Sequence, residues 1–146
     1  MRAAEPADHD AMAEVFLAAG RAAWGFAGEE ALAEMRAPYF GRGELVAEDE
    51  SGVLGFVAAV ACEIDLLYTH PRAWGSGAGR LLLEAGEAVL RERGCTSATL
   101  WTEERNERPR RVYEAAGWQT HGEVRERVWH GARLRELRYR KTLAPS

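Results

Sequence analysis

The spacing of apolar residues changes part-way along the chain. From residue 7 to about 21, Met12, Val15, Phe16 and Ala19 recur at helical intervals, and Asp8 or Asp10 can cap the start. Residues 29–36 predict a second, shorter helix with Ala31, Leu32 and Met35 on one face. Between the two lies AWGFAG, an aromatic, glycine-rich turn. Strand patterning then takes over. Residues 44–48 and 53–61 predict two strands around the Asp49-Glu50-Ser51-Gly52 turn. Residues 62–69 predict a third, with Ile64, Leu66 and Tyr68 alternating against Glu63, Asp65 and Leu67. Residues 77–93 form the clearest helix, its stripe made by Leu81, Leu82, Ala85, Ala88 and Val89, with Gly94 suited to its C-terminal cap. A strand follows at 97–102. Asn106 can cap a helix running to about residue 116, Pro109 is tolerated in its first turn, and Gly117 can end it. The tail predicts two more strands, about 119–127 and 133–143. The order ααβββαβαββ implies an α/β (α+β) chain with a mixed, mostly antiparallel central sheet flanked by helices.

Composition narrows the class. The 146 residues suit one domain spanning 1–146, and a hydrophobic fraction of 47% is enough for a core. A formal charge of -4 argues against a nucleic-acid partner, although Arg is concentrated in the second half. Cys62 and Cys95 are too few for a disulfide framework and read as two ordinary thiols. Glu5, Asp8 and Asp10 interrupt any signal-like start, and apolar runs fall short of the roughly 20 residues of a membrane span. These features predict a cytoplasmic protein without a membrane partner. His9, His70, His121 and His130 have no metal-ligand spacing with one another or with the cysteines, so no metal is expected.

The chemistry begins at Trp74-Gly75-Ser76-Gly77-Ala78-Gly79-Arg80, between a predicted strand and a predicted helix. Three glycines in five residues let the backbone approach a ligand and take positive φ. The following helix start offers unpaired N–H groups and its positive dipole end, and Arg80 adds a charged donor. A phosphate or pyrophosphate suits that place. The Gly-Lys-Ser/Thr of a Walker loop is absent, and a dinucleotide fingerprint read from Gly75 fails at Arg80.

Residues 67–83, LYTHPRAWGSGAGRLLL, resemble the acetyl-CoA signature of the GNAT superfamily of N-acetyltransferases. That signature is a strand, a Pro, then Gln/Arg-x-x-Gly-x-Gly/Ala opening a long helix; here it reads Trp74-x-x-Gly77-x-Gly79. A second block, Asn106-x-x-Pro109-x-x-Val112-Tyr113-x-x-x-Gly117-Trp118, resembles the family's Asn-x-x-Ala-x-x-Phe-Tyr-x-x-x-Gly-Phe. The resemblance covers about residues 44–143, and the N-terminal helices loosely. It implies acetyl-CoA as co-substrate. Leu67, Tyr68 and Thr69 would lend strand backbone to the pantetheine arm. Gly75, Ser76, Gly77, Ala78, Gly79 and Arg80 would surround the pyrophosphate, and Asn106 would contact the pantetheine or fix the next helix. Trp74 departs from the family's Gln or Arg and implies a modified grip on the phosphates.

The resemblance further implies direct acyl transfer to a primary amine of an unidentified acceptor, a small molecule or a peptide or protein. Tyr113 would be the general acid to the CoA thiolate. Glu63 is the first candidate base, six residues before Thr69, where one branch of the superfamily carries a catalytic Glu; Asp65, Glu103 and an ordered water are alternatives. A homodimer is compatible with the family. Arg105, Arg108, Arg110 and Arg111 could meet the 3′-phosphate and adenine end of CoA, an acidic acceptor, or solvent. Trp24, Phe26, Tyr39, Phe40 and Trp129 are candidates for an aromatic wall at the acceptor or for core packing. A CoA-binding regulatory module without turnover is the rival reading, and Trp74 is its support.

Overall fold

A computed structural model describes residues 1–23, 37–38, 40–129 and 131–143. The helix predicted at 29–36, with Trp24, Phe26 and Tyr39, lies outside the described residues. The strands are β1 (Arg2–Ala3), β2 (Leu45–Asp49), β3 (Gly52–Val60), β4 (Glu63–Thr69), β5 (Ser97–Glu103), β6 (Gln119–Trp129) and β7 (Ala132–Thr142). The helices are α1 (His9–Ala23), α2 (Ala78–Glu92) and α3 (Glu107–Ala115). The strands form one sheet in the order β1-β2-β3-β4-β5-β7-β6. Every neighbouring pair is antiparallel except β4–β5.

Helices cover both faces because adjacent strand residues point to opposite sides. On β3, Phe56 packs with Met12, Val15 and Phe16 of α1, while the next residue, Val57, packs with Leu82, Leu83 and Leu90 of α2. Buried Glu87 on α2 ties that layer to the tail: Trp118 Nε1–H donates to it at 3.2 Å and Lys141 Nζ at 2.6 Å.

The buried face of α2 is made by Ala78, Leu82, Leu83, Gly86, Glu87 and Leu90, whereas Leu81 and Ala88 of the expected stripe are exposed. Four further observations differ from the sequence expectation. First, β1 is present, a two-residue strand too short to show a period, with Arg2 paired to Asp8 and Glu48 at 2.8 Å each. Second, a 3₁₀ turn at Pro6–Asp8 precedes α1, and Asp8 accepts the Glu5 N–H at 2.8 Å. Third, β4 does not alternate strictly. Its register against β3 shifts between Ala58/Ala59, so Leu66 and Ile64 oppose consecutive residues. This bulge puts Ile64 and Leu67 with the α2 core, and Leu66 and Tyr68 with the α1 core. Fourth, Cys62 and Cys95 are not thiols but a disulfide, with Cα atoms 5.8 Å apart. The topology explains the pairing. Parallel β4 and β5 are neighbours, so α2 must carry the chain back to the level where β4 begins. The residue after that helix therefore meets the turn before that strand.

Gly55 on β3 is paired with Thr69 of β4. A Cβ there would lie 2.6 Å from the Tyr68 carbonyl oxygen and 2.8 Å from Leu82 Cδ1. Backbone cannot retreat cheaply, so Gly55→Ala is expected to destabilise the fold by about 2 kcal/mol, read as a lower denaturant midpoint at unchanged m.

Candidate active site

The chain's main cleft comes from incomplete pairing. Strands β4 and β5 are bridged only at Glu63 and Thr99, close to their starts, and separate toward their C-terminal ends. Beyond that bridge, the backbone edge of β4 has no strand partner on the β5 side. The opening is a cleft of about 660 Å³. Residues 63–69 form one wall and 100–103 the other, while α3 supplies Val112 and Tyr113 and the tail hairpin supplies Arg125, Arg127, Leu134 and Glu136. Leu67, Tyr68, Thr69, Asn106, Tyr113 and Glu63 therefore share one space.

At the mouth lies the glycine turn, which meets the cleft at Trp74 and Gly79. Gly75 and Gly77 have φ of 82° and 87°, the left-handed region that disfavours a side chain. Gly77 is the N-terminal cap of α2. Among the described residues, no backbone acceptor takes the N–H groups of Gly75, Gly77, Gly79 or Arg80. The Ala78 N–H is held by Ser76 Oγ at 3.3 Å. Arg80 is paired along its helix with Glu84 at 3.1 Å, and both side chains are exposed. Trp74 braces the turn: its Nε1–H donates to the Thr69 carbonyl at 3.3 Å. Its ring also carries the Arg108 guanidinium, with Cζ 4.2 Å from the ring centroid.

Asn106 caps α3 by position but its side chain makes no capping bond. Its Oδ1 is buried and has no partner among the described residues, an unsatisfied acceptor on a residue that lines the cleft. Tyr113, about two turns further along, has a buried ring 5.7 Å from that of Tyr139. No hydrogen bond takes its hydroxyl among the described residues, although the side chain lines the cleft. Burial pushes the Tyr113 phenol above its ordinary value, as do nearby Tyr68 and Tyr139. Tyr68 is raised by burial too, and its ring packs edge-on against Phe16 at 4.8 Å.

The three carboxylate candidates separate. Glu63 is half-buried at the vertex of the cleft and enters no hydrogen bond or ion pair with the described residues. Asp65 is exposed and faces Arg42 at 3.6 Å. Glu103 is 4% exposed, and its oxygens accept from Arg105 N at 2.9 Å, Arg105 Nε at 2.8 Å and Arg135 N at 2.6 Å. Burial alone would raise Glu103; the Arg105 guanidinium and the two N–H groups outweigh it and hold the carboxyl below its usual range. A carboxylate so occupied takes up a proton poorly. It fastens β5 to β7 instead.

The arginines of the second half divide as well. Arg105 serves Glu103, Arg110 donates to the Tyr139 hydroxyl at 2.9 Å, and Arg111 pairs with Glu107 at 3.1 Å. Trp101 was not singled out by its sequence surroundings. Its ring faces the cleft under Arg125 and Arg138, with Cζ atoms 4.3 and 5.2 Å from the centroid. The signal was its place one residue after buried Leu100 in an alternating strand. Among the described residues, no group of three His, Cys, Asp or Glu side chains could hold a metal ion, and no helix is long and apolar enough to cross a membrane.

The family model of the acetyltransferase (GNAT) family matches residues 9–118. Over 85 residues the chain is 39% identical to the mycothiol acetyltransferase of Propionibacterium freudenreichii subsp. shermanii, an alignment covering 52% of this chain and 27% of that protein. The chain thus spans well under half of that curated relative's length. Among solved structures, a GCN5-related N-acetyltransferase of Rhodopseudomonas palustris superposes with a TM-score of 0.79 at 21% identity, covering 97% of this chain and 94% of that one. The acetyltransferase yncA of Salmonella typhimurium, solved with its cofactor acetyl-CoA, gives 0.72 at 21% identity, covering 99% and 94%. The ribosomal-protein-S18-alanine N-acetyltransferase of Escherichia coli gives 0.72 at 16% identity, covering 99% and 93%. At these identities the superpositions establish a shared fold.

Proposed function

Because the chain belongs to the acetyltransferase (GNAT) family, we propose that it transfers the acetyl group of acetyl-CoA directly to a primary amine of an acceptor seated in the β4–β5 cleft. The observation that carries the reading is the buried Oδ1 of Asn106, a residue that lines the cleft, which has no partner among the described residues. A pantetheine arm offers amide N–H groups of the kind this oxygen lacks. The open edge of β4 at Leu67, Tyr68 and Thr69 supplies backbone groups for the same arm. The N–H groups of Gly75, Gly77, Gly79 and Arg80, which have no backbone acceptor among the described residues, suit the phosphates at the mouth, with Ser76 and Ala78 shaping the turn.

Transfer needs the amine to lose a proton, its nitrogen to bond to the thioester carbon, and the carbon–sulfur bond to break. Glu63, or a water it holds, accepts the proton from the amine. Tyr113 donates its phenolic proton to the sulfur as that bond breaks, so free CoA thiol and the amide are the products. No protein nucleophile is required.

The test is thiol release from acetyl-CoA over a panel of small amines, peptide N-termini and lysine side chains. The chain's two cysteines are paired, so the native protein adds no thiol background. Amine-dependent release is expected. Tight acetyl-CoA binding with no release on any amine would instead support a CoA-binding module, the reading that Trp74 at a customary Gln or Arg position favours. Glu63→Gln is expected to lower kcat about tenfold with an unchanged KM for acetyl-CoA, since water remains as a weaker acceptor. Its remaining rate should rise with pH through neutrality more steeply than that of the parent. A superimposable pH profile would remove Glu63 as the base.

A further inference from the structure

We propose that Arg108, held over the Trp74 indole, supplies the positive charge for the diphosphate of acetyl-CoA that Trp74 itself cannot carry; this rests on the acyl-CoA reading of the cleft. The turn opens on Trp74, which carries no charge and whose side-chain N–H is spent on the Thr69 carbonyl. Arg80 is turned along its helix to Glu84. The mouth therefore has backbone N–H groups without a backbone acceptor among the described residues, and the one cation of the turn is paired along its own helix.

Arg108 comes from α3, across the cleft. Its Cζ stands 4.2 Å from the Trp74 ring centroid, and both residues line the cleft. Among the described residues Arg108 has no carboxylate in ion-pair range, whereas Arg105, Arg110 and Arg111 each have one. A guanidinium stacked on an indole uses its face for the ring and keeps its edge N–H groups for an acceptor in its own plane. A phosphate oxygen is such an acceptor, and the stack fixes the fork in advance. Trp74 is then a platform, oriented by its bond to Thr69, and the bulky residue in the turn is what lets a cation from another helix stand in.

Arg108 is exposed, so its substitution should leave the fold intact. Calorimetric affinities for acetyl-CoA, 3′-dephospho-acetyl-CoA and S-acetyl-pantetheine decide the matter. Arg108→Ala is expected to weaken acetyl-CoA about tenfold, to weaken the 3′-dephospho form by the same factor, and to leave S-acetyl-pantetheine unchanged. Arg108→Lys should recover only part of the loss, because an ammonium does not stack as a plane. Trp74→Arg in the Arg108→Ala background should recover affinity by returning the charge to the turn. Unaltered acetyl-CoA affinity in Arg108→Ala overturns the proposal. So does a loss that disappears with the 3′-dephospho form, which would move Arg108 to the 3′-phosphate, or one shared by S-acetyl-pantetheine. Wild-type protein that binds none of the three ligands would overturn the acyl-CoA reading and this proposal with it.

Discussion

Tyr113→Phe lowers kcat for acetyl transfer by about 10²-fold, or close to 3 kcal/mol in the barrier, while the KM for acetyl-CoA stays within about twofold. The split follows from what the hydroxyl touches. It has no protein partner among the described residues, so its removal orphans nothing. The ring is buried and keeps its place beside Tyr139, so packing survives. The loss falls on the step in which the thiolate leaves. Burial, with Tyr68 and Tyr139 nearby, holds the phenol above its ordinary value of about 10. The sign matters: a raised pKa keeps the proton on Tyr113 at every pH where the protein is assayed. No alkaline fall in rate should therefore arise from this residue up to about pH 10, and the rising limb belongs to the amine. Steady-state rates of the two proteins across that range, with thermal unfolding as a control, provide the check. Full turnover in the Phe variant would remove Tyr113 from the chemistry.

Opening the Cys62–Cys95 bridge destabilises the fold by about 4 kcal/mol. The bridge spans 33 residues, and closing a loop of that length removes about that much entropy from the unfolded chain. Against a typical total of about 5–15 kcal/mol, this is a large share. For a chain of this size it corresponds to a drop of roughly 10 °C in Tm. Cys62→Ser combined with Cys95→Ser should show the shift, and reductant should reproduce it in the parent while leaving the double variant unmoved. A reduced parent that melts at the oxidised temperature would show that the bridge adds nothing.

Much of this arrangement was readable from residue order because its determinants are local. The span of α2, the glycine turn and the Asn106–Tyr113 block are each written within a few turns of chain and fold where their patterns place them, although α2 buries Leu82, Leu83 and Leu90 and leaves Leu81, expected in its apolar stripe, exposed. The tail strands were also found, although β6 and β7 run to Trp129 and Thr142. What escaped depends on partners distant in sequence. The Cys62–Cys95 pairing follows from the return path of α2, which two cysteines cannot announce. The β4 bulge depends on register with β3, and it splits Ile64 from Leu66 although strict alternation groups them. Glu103 looks like Glu63 in sequence, both being carboxylates at strand ends. Only the arrival of Arg105 and the Arg135 N–H distinguishes the committed one from the open one. Trp74 looked like a missing phosphate contact until the helix across the cleft brought Arg108 onto its ring.

The bridge between residues 62 and 95 has one more consequence. It makes a covalent ring of β4, the glycine turn and α2, while the far bank of the cleft, from Trp101 through α3 to the tail hairpin, lies on chain outside that ring. The two banks meet at a single ladder rung, Glu63 with Thr99. Under the proposed reading, substitutions on the hairpin are thus expected to change acceptor preference while leaving the ring of chain closed by the bridge, and Asn106 and Tyr113 on α3, in place.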